Sequence, residues 1–236
     1  MSKKRPVKLF SVTRLSQQEL ISNSFLGRSM SRIPQPLQPI VSLSVSNSGD
    51  SATGLSSYYN RCLDGCGPED IALFMHDDVY IHNWYLVDHL REAINYFDIV
   101  GVVGSRSPDL SQPSWGLSFN EALEPKGWQK GAGFSGSVSH FTPEEPQISY
   151  YGDAPAACVL LDGLFLAVDV GKLRQAGVRF DPVFRFHCYD IDFCRSAGKA
   201  GLSLGTWGIP VTHASSGSFD SDAWREAARL YLKKWR

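Results

Sequence analysis

The chain has 236 residues, with 23 Lys and Arg against 24 Asp and Glu, a formal charge of −1 and 43% hydrophobic residues. That balance supplies enough apolar surface for a core and excludes a disordered or collagenous chain. Near-neutral charge also argues against a nucleic-acid partner, since such binders show a basic excess or stripe.

The five cysteines, an odd number with no CxxC pair, match neither a disulfide framework nor a zinc site. The N-terminal MSKKRPVKLF is basic but has no apolar segment, unlike a secretory signal. No apolar run approaches the ~20 residues of a membrane span. A reduced, cytoplasmic protein is expected.

In chain order, KLFSVTR (8–14) and PIVSLSVSNS (39–48) read as strands, and RSMSRIPQPLQP between them, with its three prolines, as a loop. In TGLSSYYNRCLDGC (53–66), Leu55, Tyr58/Tyr59, Cys62 and Cys66 fall near helical spacing, and Gly65 and Gly67-Pro68 end that helix. DIALFMHDD (70–78) is an apolar run that stops at a carboxylate pair, the pattern of a parallel strand buried on both faces. The amphipathic helix YLVDHLREAINYF leads to the strand DIVGVVGS. Residues 105–150, rich in Gly, Ser, Pro and Trp, break the rhythm and suit either a lid or short irregular strands. ACVLLDGLFLAVD resumes strand character, followed by the helix GKLRQAG, a last strand around 202–207 and the terminal helix SDAWREAARLYLKKWR. Alternating strands and helices predict one α/β domain built on an open sheet.

Three constellations carry chemistry. Asp77-Asp78 ends the buried strand, where open α/β sheets bind ligands. Two adjacent carboxylates there repel unless a hard cation such as Mg²⁺ or Mn²⁺ joins them, or unless they cap the next turn. Asp190 lies at or beside the N-cap of a helix striped by Ile191, Cys194 and Ala197. It suits a general base, or simply the positive end of the helix dipole. His213 follows a strand-like GTWGIPVT and suits a metal, a phosphate or a loop. The other histidines show no HxxxH or HxxEH spacing, and no GxGxxG, GxxxxGK[ST] or GxSxG occurs.

The order of the pieces says more than any one of them. GLSSYYNRCLDGCGPEDIALFMHDDVYI runs from a helix with a Tyr/Asn pair into a strand ending in a DXD-like motif. DGLFLAVD…VRFDPVFRFHCYDIDFCRSAGKAGLSLGTWGIPVTHASSGSF runs through a DG turn, F-D-x-x-F, a D-x-D-F helix start and a late His-x-x-x-G-S. Over roughly residues 40–213 the chain resembles family 2-type glycosyltransferases of the GT-A fold. The chain departs from the family's pattern at His76, the first DXD position, and at Ser46 and Asn47, where an acid is common. It departs again at Tyr189, where a Glu often precedes the base.

The resemblance implies a GT-A, Rossmann-like open mixed sheet flanked by helices, filling residues 1–236. Residues 1–104 would be the nucleotide-binding half, 105–213 the acceptor-binding half and 214–236 a tail helix. It implies an inverting, metal-dependent glycosyltransferase moving a sugar from a nucleotide-diphosphate donor, a UDP-sugar foremost, to a glycan or lipid-linked hydroxyl. Asp190 would be the catalytic base. Asp78 and His213 would hold Mn²⁺ or Mg²⁺, and Thr13, Asn47, Asp77, Asp162 and Gly163 would contact the nucleotide-sugar. Trp115, His187 and Tyr189 would contact the acceptor, with Trp128, Phe134 and Phe141 available as further platforms. The terminal helix sets Arg225, Arg229, Lys233, Lys234 and Arg236 among Trp224, Leu230, Tyr231 and Trp235, which suits an anionic membrane surface or packing on the domain. The alternative from another class is a catalytically silent glycan- or nucleotide-binding module of the same fold. A sugar-phosphate nucleotidyltransferase lacks its Gly-rich, Arg/Lys-bearing loop here.

Overall fold

A computed structural model of the chain describes residues 4–49, 51–215, 219 and 221–236. The last two positions of the late His-x-x-x-G-S, Gly217 and Ser218, lie outside the described residues.

Strand β1 (Val7–Val12) pairs in parallel with β2 (Ile40–Ser44) on one side and β3 (Ile71–Met75) on the other. Between β1 and β2 run helices α1 (Gln17–Asn23) and α2 (Phe25–Arg32). Helix α1 starts in a capping box, with the Ser16 hydroxyl accepting from the Glu19 N–H and the Glu19 carboxylate accepting from the Ser16 N–H. Helix α2 occupies the first part of the loop expected over 28–39. Only the proline-bearing stretch after it leaves the α-helix, with a single 3₁₀ turn over Gln35–Leu37, because proline has no N–H to continue a helical ladder.

Helix α3 (Leu55–Asp64) returns the chain to β3, and all five β3 residues are buried, as the apolar run predicts. Next come β4 (Val79–Ile81), α4 (Leu86–Ala93), β5 (Ile99–Gly101) and β6 (Val103–Ser105). The single strand expected over 98–105 is thus two, which leave one sheet and enter another at Val102. Every residue of both halves is buried, so no polar position marks the break.

Residues 105–150 form strands rather than a lid. Strands β7 (Leu117–Phe119) and β8 (Pro125–Trp128) make a ribbon, and β9 (Phe134–Phe141) pairs antiparallel with β10 (Pro146–Gly152) in a long hairpin. The strand expected over 157–169 is three pieces, β11 (Ala156–Ala157), β12 (Leu160–Leu161) and β13 (Phe165–Asp169). Helix α5 (Val170–Gln175), helix α6 (Tyr189–Lys199), strands β14 (Leu204–Thr206) and β15 (Val211–His213) and helix α7 (Asp222–Trp235) complete the chain.

The result is a mixed α/β architecture around an open sheet ordered β11-β14-β5-β13-β3-β1-β2. Strand β13 runs antiparallel to both β3 and β5, which makes the sheet mixed. A second sheet, β12-β6-β9-β15-β4, carries β10 on β9. An aromatic knot binds sheet to helices: Phe180 stacks on Phe193 at 4.1 Å and meets Phe74 at 5.2 Å and Tyr59 at 5.3 Å. Each such buried ring contributes about 1.5–3 kcal/mol through area removed from water. All five cysteines are free, and all but Cys62 are buried.

Helix α7 turns Trp224, Ala227, Ala228 and Tyr231 inward, so its apolar side is spent on the protein rather than offered to a membrane surface. No helix among the described residues is long and apolar enough to cross a membrane.

Candidate functional site

The site forms where several chain segments leave the sheets at one edge. Thr13 follows β1 and His76-Asp77-Asp78 follow β3, and the Thr13 hydroxyl donates to the Asp77 carboxylate. Strand β13 is antiparallel to β3, with Phe165 opposite Met75, so the Asp162-Gly163-Leu164 turn before it reaches the same edge. The His76 N–H donates to the Leu164 carbonyl at 3.1 Å. From the second sheet, β15 pairs with β4 so that His213 stands opposite Val79, and the Ala214 N–H donates to the Asp78 carbonyl at 3.0 Å.

This pairing brings His76, Asp78 and His213 together, each offering one ligand atom within 4.8 Å of the others. Asp78 Oδ1 lies 3.3 Å from His213 Nε2 and 3.9 Å from His76 Nδ1. Ligands of one first-row divalent ion at ~2.1 Å stand roughly 3.0–3.4 Å apart, so two imidazoles and a carboxylate here fit such an ion with little movement. Burial opposes the Asp78 charge, but the hydrogen bond and charge of His213 outweigh it and hold the carboxyl down at about 2. Burial likewise opposes the His213 cation, and Asp78 overcomes it to raise the imidazole. Burial and the neighbouring His213 lower His76, which favours its neutral, ligating form.

A hydrogen-bonded chain runs from this cluster to Asp190. His76 Nε2 is 2.9 Å from the Tyr189 hydroxyl, which donates to the Gly163 carbonyl at 2.9 Å. The Gly163 N–H donates in turn to Asp190 Oδ2 at 2.9 Å. Gly163 has to be glycine, because a Cβ there would collide with the Tyr189 ring and hydroxyl. Asp190 occupies the first turn of α6, whose Ile191, Cys194 and Ala197 are buried as the stripe predicts. Burial, then the charge of Asp162, push the Asp190 carboxyl up to about 7. Asp162 accepts from the Trp115 indole at 2.7 Å and from the Leu164 N–H at 2.9 Å.

A cleft of about 700 Å³ gathers Trp115, Asp162, Gly163, His187, Tyr189, Asp190 and His213 along its wall, with His76 among them. Thr13, Asn47, Asp77 and Asp78 lie outside that lining. The Asn47 amide is taken up by Thr53, donating to its carbonyl at 2.8 Å and accepting from its N–H at 2.7 Å. Tyr189 is buried with its hydroxyl engaged on two sides, so it braces the wall. Asp192 points away from the cleft, accepting from the Trp235 indole at 2.8 Å and pairing with Lys234. Sequence reasoning missed His76 and His140. His76 occupies an acid's place, and imidazole ligates as a carboxylate does. His140 stands opposite His213 in the β9/β15 register and buries an Nδ1 with no partner among the described residues, a pairing no spacing reveals.

No protein-family model matches the chain, and no curated protein matches it in sequence. Among solved structures it is similar to A197 from STIV, at 11% identity and TM-score 0.44, over 86% of this chain and 82% of that one. It is also similar to S. aureus TarS 1-349, at 11% identity and TM-score 0.48, over 96% of this chain. For TarS 1-349 in complex with UDP the identity is 12% and the TM-score 0.49. The chain spans 64% of the length of the TarS chains.

Proposed function

We propose that the protein is an inverting glycosyltransferase that moves a sugar from a nucleotide-diphosphate donor, a UDP-sugar foremost, to a hydroxyl acceptor. The observation that carries this reading is a cluster suited to a cation, with His76 and His213 on the cleft wall, three hydrogen bonds from a raised carboxyl in the same cleft. The residue order that resembles family 2-type glycosyltransferases agrees with that placing.

Asp190 is the general base. A carboxyl near pKa 7 is matched to taking a proton from an alcohol in the transition state at neutral pH. The acceptor oxygen gives its proton to Asp190 and bonds to the anomeric carbon as the bond from that carbon to the phosphate oxygen breaks. One displacement assisted by one base inverts the anomeric centre. Trp115 and the Leu164 N–H hold the Asp162 carboxylate beside the donor sugar, and Gly163 lets the chain pass close beneath it.

His76, Asp78 and His213 would hold a divalent cation, which when bound stabilises the charge building on the leaving diphosphate. Two imidazoles beside one carboxylate favour Mn²⁺ over the oxygen-seeking Mg²⁺. Thr13 and Asp77, joined to each other at the ends of β1 and β3, would contact the ribose side of the nucleotide.

Calorimetric titration with UDP tests the reading, with and without Mn²⁺. Binding that requires Mn²⁺ and disappears in His213→Ala is expected. Cation-independent binding, or none, contradicts it.

A further inference from the structure

We infer that the outer half of this cleft receives a neutral oligosaccharide, read by ring stacking, as the acceptor; the inference rests on the glycosyl-transfer reading above. Beyond Asp162 the wall is built from Trp115, Trp128 and Tyr151, whose ring centres lie 5.8, 5.5 and 5.3 Å apart pairwise. Rings packed on one another are fixed before a ligand arrives, which spares the ordering cost of binding.

Three aromatic side chains of the lining remain open to solvent: Trp128 at 51% exposure, Phe141 at 59% and Phe186 at 40%. Large rings left facing water around one cleft mark a binding surface. Phe141 also holds a left-handed backbone, φ 70°, which bulky side chains rarely adopt and which clusters at ligand sites. Strand alternation supplies the polar half of the recognition. Gln147, Ser149 and Tyr151 of β10 line the cleft, while Ile148 and Tyr150 between them do not. Sugar rings offer what such a wall takes, an apolar C–H face for the aromatics and hydroxyls for the amide and hydroxyl groups of β10.

Charge decides between neutral and anionic acceptors. Among the described residues lining the cleft are the carboxylates Asp162 and Asp190 and no Lys or Arg. A phosphorylated or uronic-acid acceptor would meet like charge there with no Lys or Arg to answer it.

The test follows intrinsic tryptophan fluorescence of the full chain, in EDTA and without nucleotide. The probes are maltohexaose, cellohexaose, chitohexaose, hexagalacturonate and an uncharged Ser/Thr-rich peptide. At least one neutral hexaose is expected to bind, and hexagalacturonate at least about tenfold more weakly. Trp128→Ala should weaken the neutral sugar roughly three- to tenfold, with Trp128→Phe close to the parent. Gln147→Lys, an exposed change, should narrow the gap to hexagalacturonate. The inference is overturned if no neutral hexaose binds, if hexagalacturonate or the peptide binds as tightly, or if Trp128→Ala changes nothing. UDP binding with Mn²⁺, measured on the same preparations, separates the two readings. Sugar binding without UDP binding overturns glycosyl transfer alone, and UDP binding without sugar binding overturns the acceptor class alone.

Discussion

The Tyr189 hydroxyl fixes which nitrogen of His76 carries the proton. It has one proton of its own, given to the Gly163 carbonyl, which can only accept. The contact at 2.9 Å with His76 Nε2 therefore requires the imidazole to be the donor. Nδ1, facing Asp78, is left with its lone pair free for a cation. The same hydroxyl ties His76 to Gly163 and, through that peptide, to Asp190.

Tyr189→Phe removes both hydrogen bonds while keeping the ring. Its expected effect is a loss of Mn²⁺ affinity of roughly 10- to 100-fold, the usual cost of losing a partner that orients a ligating His. Electron paramagnetic resonance titration of Mn²⁺ reads this directly. Unchanged Mn²⁺ affinity with a lowered melting temperature would make Tyr189 a packing residue only.

The raised carboxyl of Asp190 sets a pH dependence with a definite sign. Burial and Asp162 push it up to about 7, above the ~3.9 of an unfolded chain. The folded state thus holds this proton more tightly, and the stability it contributes is complete below pH ~3.9 and lost as pH rises through about 7. Asp190→Asn should therefore stabilise the protein at pH 8 by on the order of 2 kcal/mol, with the gain shrinking towards pH 4. Transfer by the parent protein should rise over the same range, because the base acts unprotonated. Urea denaturation at pH 4.5 and 8 checks the first, and a pH–rate profile the second. A pH-independent difference in stability would contradict the assignment.

Asp192, two residues on, has a different task. It is fully buried and held by Lys234 and the Trp235 indole, which clamps α7 to α6. Lys234→Met leaves that carboxylate buried without its cation and should cost about 3 kcal/mol in urea denaturation. Mn²⁺ and UDP binding should persist in the folded fraction, since Lys234 lies outside the cleft lining. A loss below about 1 kcal/mol would show that water reaches Asp192.

The two roles look alike in the sequence, where Asp190 and Asp192 share one D-x-D. On a helix they point about 200° apart, and only the neighbours α7 and Gly163 tell them apart. Features that depend on burial of a single strand were legible: the apolar run 70–78 contains β3, and the acids after it stand at the sheet edge. The break at Val102 was not, because both sides of it are buried and the apolar pattern runs on, whereas the DG turn at Asp162-Gly163 does mark the break before β13. The grouping of His76, His140 and His213 was equally hidden. It arises from register between β4, β9 and β15, strands distant in the chain.

Glycosyl transfer is read by nucleotide release from a panel of nucleotide-diphosphate sugars, with Mn²⁺ and the neutral hexaoses as acceptors. Release by the parent protein is expected to depend on Mn²⁺ and to fall by roughly 10²–10⁴ in Asp190→Asn while UDP binding persists. No release from any donor, or equal release by Asp190→Asn, would contradict that expectation.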